Sequence, residues 1–113
     1  MLPRQERLTR SGEFTEVYRS GRRYAGIGLA VYVLPGKTHT RVGFRIPRRV
    51  GTAVVRNRVR RRLREAYRQV RGEIPGGWHV VIVVREQGTE MGMLELREAL
   101  RGLLRRAGAD AHQ

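Results

Sequence analysis

The sequence predicts an α+β fold, a single domain in which helices cover a small mixed β-sheet. The chain has 113 residues, the usual size of one domain. Hydrophobic residues make up 40% of it, enough for a packed core despite the high charge. Segments with helical or strand-like apolar spacing follow one another in the order helix, two strands, helix, strand, helix, which favours helices packed against one sheet.

The first predicted helix lies in the segment SGEFTEVYRSG. Ser11 is a suitable N-cap, and Gly21 is a suitable residue at which the helix ends. Phe14, Val17 and Tyr18 are spaced at i, i+3 and i+4 and form one apolar stripe.

Three strands are predicted. Residues 24–34 and 41–47 form two strands joined by the turn-forming pair Pro35-Gly36, most simply as an antiparallel pair. Pro47 then has to lie at a strand end or on an edge strand, because proline has no N–H to donate. Residues 78–84 (WHVVIVV) are almost continuously apolar, which indicates a central strand covered on both faces.

Two longer helices are predicted. The first covers residues 53–71, with Thr52 as N-cap and Gly72 at its end, because apolar residues recur there at helical spacing: Val55, Val59, Leu63, Tyr67 and Val70. The second covers residues 93–107, with Gly108 beyond its end, on the spacing of Leu96, Leu100, Leu103 and Leu104.

The charge of the chain predicts a polyanionic partner. The net charge is +14, with 23 Arg and one Lys, and residues 41–71 hold 12 of these 24 basic residues and one acid, Glu65. Arginine pairs bidentately with phosphate and stacks on bases, so nucleic acid fits better than lipid headgroups. Coding bias is an equally good explanation of the preference for Arg over Lys.

Several other classes of protein are not supported. Cysteine is absent, the N-terminus lacks a signal-like apolar run, and the longest apolar stretches are too short to cross a bilayer, so we expect a cytoplasmic protein. A protein-only nuclease would need clustered carboxylates or a histidine acid–base pair. No metal-ligand spacing is visible among His39, His79 and His112, and Glu95 and Glu98 fit a solvated helix face.

The most informative segment is RRVGTAVVRNRVRRRLRE, residues 48–65. It resembles the signature of the bacterial ribonuclease P protein family: a basic pair, Val/Ile-Gly-x-Ala-Val, Arg-Asn-Arg, a second basic pair and Arg-Glu. The resemblance extends along nearly the whole chain, through Arg7-Leu8, the Phe14, Val17, Tyr18 helix, Gly21, Tyr32 and the Val-Gly-Phe of residues 42–44.

The resemblance implies one ribonuclease P protein domain over residues 1–113, an α-β sandwich like domain 2 of ribosomal protein S5. It also implies a left-handed βαβ crossover, against the usual right-handed rule. The implied partners are the ribonuclease P catalytic RNA and precursor tRNA, with no protein partner required and no membrane. Catalysis would belong to the RNA and to Mg²⁺ held mainly by it, so no residue of the protein is predicted to be catalytic or a metal ligand.

The resemblance also implies the site residues. Those expected to bind RNA are Arg48, Arg49, Arg56, Asn57, Arg58, Arg60, Arg61, Arg64 and Arg68. Those expected to line a cleft for the single-stranded 5′ leader are Phe14, Tyr18 and Tyr32. From the residues alone, these aromatics fit the hydrophobic core better than a ligand surface. For Asn57, a contact to RNA is favoured, and a tolerated surface residue is the alternative.

The sequence departs from the family where small polar residues often precede the basic pair. Arg45 and Pro47 stand there, and Arg48-Arg49 replaces the commoner Lys-Lys. Two other classes of function stay open: a ribosome-associated structural RNA-binding protein, which would not need the aromatics, and a DNA-binding regulator. The second fits less well, because an arginine-saturated helix suits phosphates more than base edges.

Overall fold

The computed structural model describes residues 2–111, apart from the side chain of Ala111. Its helices are α1 (Ser11–Ser20), α2 (Ala53–Val70) and α3 (Met93–Ala111), and its strands are β1 (Arg22–Ala25), β2 (Leu29–Leu34), β3 (Arg41–Arg45) and β4 (His79–Val84). The predicted α+β class is confirmed. His112 lies outside the described residues.

The four strands form one mixed sheet in the order β1-β2-β4-β3. β2 is antiparallel to both of its neighbours, whereas β3 and β4 run parallel and are connected through α2. The prediction that residues 78–84 form a central strand is therefore confirmed. The predicted antiparallel pairing of residues 24–34 with residues 41–47 is wrong, because β4 lies between β2 and β3.

The predicted strand over residues 24–34 is in fact a hairpin. The chain turns at residues 26–28, and the N–H of Gly26 donates to the carbonyl of Leu29 at 2.8 Å. Gly28 lies so close to the backbone of Gly88 that a side chain there would overlap its neighbours. The two glycines of the segment thus mark a turn and a close backbone approach.

The sheet separates two apolar layers of unequal size. Alternate residues of β4 face opposite sides. Val80, Ile82 and Val84 pack in the large core with α2 and α3, while Val81 packs with Phe14 and Val17 of α1.

Among residues 2–111, no helix is long and apolar enough to cross a membrane.

The start of α1 differs from the prediction. Arg10, and not Ser11, is the N-cap, and the helix is capped by the carboxylate of Glu13, which accepts the backbone N–H groups of Arg10 at 3.1 Å and Thr9 at 3.2 Å. The Arg10 hydrogen bond is the main reason that the pKa of Glu13 lies below its ordinary value. The predicted end of this helix at Gly21 is confirmed.

The other helix boundaries show one agreement and one difference. Thr52 caps α2 as predicted, its hydroxyl accepting the N–H of Val55 at 3.3 Å. α3, however, continues through Gly108 to Ala111. The hydroxyl of Tyr24 donates to the carboxylate of Asp110 at 2.8 Å, a tertiary contact that offsets the weak helix propensity of glycine.

Candidate nucleic-acid interface

Helix α2 has one apolar face and is otherwise dominated by arginine. Its buried residues, all on the side that packs on the sheet and α3, are Val59, Leu63, Ala66, Tyr67 and Val70. Several of its arginines are exposed to solvent, among them Arg58 and Arg61. Packing of the apolar face therefore holds in place a helix whose own charges repel one another.

The carboxylates of the protein lie mostly away from this surface. Glu73 forms ion pairs with Arg101 at 3.1 Å and Arg105 at 3.5 Å, and Glu98 pairs with Arg101 at 2.6 Å. On α1, Glu13 forms an ion pair with Arg41, and Glu16 forms one with Lys37.

Most of the residues predicted to bind RNA are left without such a partner. Within residues 2–111, none of the following forms an ion pair with a carboxylate: Arg48, Arg49, Arg56, Arg58, Arg60, Arg61 and Arg64. The positive field is thus concentrated on the first two-thirds of α2 and on the turn that precedes it.

Arg68 differs from the other predicted RNA ligands. Its guanidinium donates to both oxygens of Glu65, at 2.6 and 2.9 Å. This hydrogen bonding lowers the pKa of Glu65 to about 2 and raises the pKa of Arg68. Arg68 would have to leave a bidentate ion pair to bind a phosphate.

Two polar contacts orient side chains along α2. The amide oxygen of Asn57 accepts a hydrogen bond from Arg60 at 2.8 Å, and Nε of Arg56 donates to the carbonyl of Gly51 at 3.2 Å. Asn57 itself is exposed. It therefore holds the neighbouring guanidinium while its NH₂ group is still directed to solvent or a ligand.

The three predicted cleft aromatics lie together on the sheet face that carries α1. The rings of Tyr18 and Tyr32 meet edge to face, with centroids 4.8 Å apart. Tyr18 is 39% exposed and Tyr32 is half-buried, but Phe14 is only 8% exposed and belongs to the small core under α1. The three rings are therefore one exposed, one half-buried and one buried.

Arg45 and Arg23 lie at opposite sides of these aromatics. The Arg45 guanidinium lies over Phe14, 3.9 Å from the ring centroid, and Arg23 lies 6.0 Å from the centroid of Tyr32. Burial raises the pKa of the Tyr18 hydroxyl, and the charge of Arg45 partly offsets that rise. Cations thus flank a group of aromatic rings on the sheet, an arrangement suited to single-stranded nucleic acid.

The absence of a side chain at Gly43 allows the Phe14 ring to pack directly on the sheet. A Cβ at this position of β3 would overlap the Phe14 ring. The glycine therefore makes room for Phe14, which in turn supports Arg45. β3 ends at Arg45, two residues before the predicted strand end at Pro47, and the short 3-10 turn Arg48–Val50 follows the proline.

Strand β3 places the arginine surface of α2 next to the aromatic surface beside α1. It runs along the sheet edge beside the aromatic surface formed by Phe14, Tyr18 and Tyr32 (the α1 cleft). The chain then continues through the basic turn Arg48–Val50 into α2. A cavity of about 190 Å³ lies at this junction, with Phe14 and Gly43 on one side and Arg60 and Arg64 on the other. Arg7 also lines it.

Sequence reasoning missed three residues of the interface, Arg7, Arg23 and Arg45. In the sequence, Arg45 differs only as a departure from the family pattern, and Arg7 belongs only to a short motif. The position of Arg45 two residues after Gly43 on one strand gives both the same face, a signal that could have placed it beside the aromatics.

The described residues offer no metal site of the ordinary kind. No three His, Asp or Glu side chains converge anywhere in residues 2–111. His79 is half-buried near Lys37, and burial is the main reason that its pKa lies below the ordinary value. His39 is exposed in a bend.

The chain is similar to known proteins of one family along most of its length. The family model described as "Ribonuclease P" matches residues 2–108. The "Ribonuclease P protein component" of Desulfovibrio desulfuricans is 44% identical over 111 residues, covering 94% of this chain and 85% of that protein. That of Symbiobacterium thermophilum is 42% identical over 97 residues, 84% of each chain. The ribonuclease P protein of Thermotoga maritima matches in structure with a TM-score of 0.79 and 29% identity, over 89% of this chain and 96% of the other.

Proposed function

This chain belongs to the ribonuclease P protein family, and from that premise we propose that it binds the catalytic RNA of ribonuclease P and the 5′ leader of precursor tRNA. The family makes it a protein component of an endoribonuclease complex that processes tRNA. The finer assignment of the two RNA ligands to two surfaces is our proposal.

The observation that carries the proposal is the set of unpaired arginines on α2 and the turn before it. Seven predicted RNA ligands in this region have no carboxylate partner within residues 2–111, while α3 arginines such as Arg101 are neutralised by nearby glutamates. Guanidinium groups fixed on a packed helix are ready to bind several phosphates without first breaking ion pairs. We assign this surface to the catalytic RNA.

The α1 cleft is assigned to the leader. Tyr18 and Tyr32 are accessible and fixed against each other, and Arg23 and Arg45 flank them. Aromatic faces stack on any base and the arginines bind backbone phosphates, so the cleft suits single-stranded RNA with little sequence preference.

Cleavage itself is proposed to belong to the RNA. In residues 2–111 no three carboxylates or histidines converge to hold catalytic metal ions, so the Mg²⁺ that the reaction uses is assigned mainly to the RNA. The protein would contribute affinity and charge neutralisation, with no further protein partner and no membrane. The cytoplasm, reducing and suited to a chain without cysteine, is the proposed location.

Binding of ribonuclease P RNA at a series of salt concentrations tests the assignment of α2. Replacing Arg58 and Arg61 with Ala should reduce the slope of log K against log [salt] by about 0.7–0.9 per arginine. Replacing Arg105 and Arg106 of α3 removes the same charge from another surface and should leave the slope nearly unchanged. Equal losses in the two double variants would mean that net charge, and not the α2 surface, binds RNA.

A further inference from the structure

We propose that Glu73 and Glu98 are specificity-determining residues, because they neutralise a row of arginines on α3 and so keep unrelated RNA from binding there. The row consists of Arg97, Arg101 and Arg105 (the α3 row). RNA is thereby confined to α2 and the α1 cleft. The proposal rests on the proposed function only for the identity of the cognate RNA.

The α3 row is a basic stripe that adjoins α2. Arg97, Arg101 and Arg105 are four residues apart in sequence and therefore lie on one face of the helix. Nη1 of Arg97 donates to the amide oxygen of Gln69 on α2 at 2.9 Å, which places the start of the row beside the C-terminal part of that helix. Without nearby acids, the arginine surface of α2 would continue onto α3.

Glu73 holds an anion between two arginines of the row. Its carboxylate oxygens accept from Nε of Arg101 at 3.1 and 3.2 Å, and Nη2 of Arg105 lies 3.5 Å from Oε1. The three side chains line a groove of about 250 Å³ between the end of α2 and α3. Guanidinium groups bind carboxylates and phosphates with the same geometry, so Glu73 takes the place that a phosphate would have in this groove.

Glu98 neutralises the first part of the row. Its Oε2 accepts from Nη1 of Arg101 at 2.6 Å and from Nε of Arg97 at 2.9 Å. Hydrogen bonding from Arg97 is the main reason that the pKa of Glu98 lies below its ordinary value, so the carboxylate is charged at neutral pH. Every arginine of the α3 row thus has a carboxylate oxygen at 3.5 Å or less.

The shielding does not require these ion pairs to be permanent. The side chains of Glu73 and Glu98 are 43% and 55% exposed, and exposed ion pairs contribute little to stability. A phosphate that displaced either carboxylate would still lie beside two negative charges fixed on the same surface, and like charges disfavour binding. The row and its two glutamates together carry a net charge of +1, against +3 for the arginines alone.

The neutralised region begins where the unpaired arginines of α2 end. Arg64 is unpaired within residues 2–111, whereas Arg68 pairs with Glu65 at 2.6 Å and Arg71 pairs with Glu6 at 3.2 Å. The α3 row extends this region. Because nonspecific RNA affinity grows with the number of phosphates neutralised, fewer available arginines mean weaker binding of unrelated RNA.

Binding of an unrelated single-stranded RNA, polyuridine, tests the proposal. Glu73→Gln combined with Glu98→Gln should tighten binding about tenfold at low salt and steepen the slope of log K against log [salt] by about 0.7 for each arginine that gains a phosphate. The control combines Glu86→Gln and Glu90→Gln. It changes the net charge equally but frees no arginine, because neither carboxylate forms an ion pair among residues 2–111. Equal gains in the two double variants, or no gain in the first, would overturn the proposal.

A further set of changes shows whether the gain comes from α3. Adding Arg101→Gln and Arg105→Gln to the Glu73→Gln, Glu98→Gln protein restores the wild-type net charge and should return polyuridine binding to the wild-type level. Circular dichroism and thermal unfolding of the same preparations show whether each variant is folded. A gain that persists in the quadruple variant would contradict the role of the α3 row.

Competition between two RNAs measures the effect on specificity. Polyuridine should displace ribonuclease P RNA from the Glu73→Gln, Glu98→Gln variant at a severalfold lower concentration than from the wild type, because the affinity for polyuridine rises more than the affinity for the cognate RNA. An unchanged ratio of the two affinities would overturn the proposal. Failure of the wild-type protein to bind ribonuclease P RNA would instead contradict the proposed function, and the polyuridine comparison would still report on the α3 row.

Discussion

The guanidinium of Arg45 lies over the ring of Phe14, 3.9 Å from its centroid, and so covers the one predicted cleft aromatic that the fold buries. Phe14 in turn rests on Gly43 of the same strand as Arg45. Because so little of the Phe14 ring is exposed, the ring supports the Arg45 guanidinium and is not free to stack on a base. In the proposed function, base stacking therefore belongs to Tyr18 and Tyr32, and the Arg45 guanidinium beside them binds a backbone phosphate.

Arg45→Ser should weaken binding of precursor tRNA more than binding of mature tRNA, because only the precursor carries the leader. The loss of one phosphate contact should reduce the salt slope for precursor binding by about 0.7. Stability should fall by only about 0.5–1 kcal/mol, the contribution of an exposed cation–π contact. Arg19→Ser, an exposed α1 change of equal charge, is the control. A loss that is the same for both RNAs would mean that Arg45 does not face the leader.

Tyr18→Ala and Tyr32→Ala should each weaken leader binding by about 1–3 kcal/mol, the cost of losing one stacked base. The measurement is the affinity of the reconstituted complex for precursor tRNAs with leaders of different lengths. Tyr24→Phe, a change under the opposite face of the sheet, should leave this affinity unchanged. If the tyrosine variants bind leaderless tRNA equally poorly, the cleft has another ligand.

Asn57→Ala should weaken RNA binding without lowering the stability of the fold. Alanine favours a helix interior by up to about 0.7 kcal/mol over asparagine, so Tm should rise slightly or stay the same. Affinity for the catalytic RNA should fall, because Arg60 loses the amide oxygen that it contacts at 2.8 Å. Filter binding and thermal unfolding on one preparation provide both values. An unchanged affinity would show that Asn57 is only a tolerated surface residue.

The ion pair of Glu65 with Arg68 predicts a specific pH dependence of stability. The pKa of Glu65 in the folded protein is about 2, below the ordinary value of 4.5, mainly because Arg68 donates to the carboxylate. The pair therefore stabilises the folded state above about pH 4.5, and this contribution is lost as the pH falls toward about 2.

Glu65→Gln should accordingly lower Tm at pH 6, and its effect should shrink steadily as the pH falls from about 4.5 toward 2. Thermal unfolding of both proteins across this range measures the difference. The control is Glu90→Gln, because the exposed Glu90 carboxylate forms no ion pair among residues 2–111. A difference in Tm that does not change with pH would mean that the ion pair contributes no stability.

The elements that the sequence predicts well are those whose pattern is local and long. Helix α2 is predicted to within one residue, because five apolar residues at helical spacing and the Thr52 cap all indicate the same helix. The central strand β4 was identified because it is apolar on both faces.

The errors come from information that is not local. Nothing near Pro35-Gly36 shows that β4 inserts between β2 and β3. The apolar residues around Gly26 and Gly28 predict a continuous strand, but Gly28 packs on Gly88, which is distant in the chain. The extension of α3 beyond Gly108 depends on the Tyr24–Asp110 contact, which no helix pattern reveals.

For the site, the sequence could predict which residues lie on the basic face of α2 but not which of them are already paired. The Glu65–Arg68 ion pair and the convergence of Arg7 with Arg60 depend on rotamers and on the path of the N-terminal segment. Similarly, the burial of Phe14 depends on Gly43, a residue on another element.

The most direct test of the central claim is cleavage of a 5′-labelled precursor tRNA by a bacterial ribonuclease P RNA at low Mg²⁺, with and without this protein. We expect the protein to restore cleavage at the mature 5′ end, the Arg58→Ala and Arg61→Ala double variant to restore less of it, and the Arg105→Ala and Arg106→Ala control to act like the wild type. If an RNA that is active at high Mg²⁺ gains nothing from the protein at low Mg²⁺, the proposed function is contradicted.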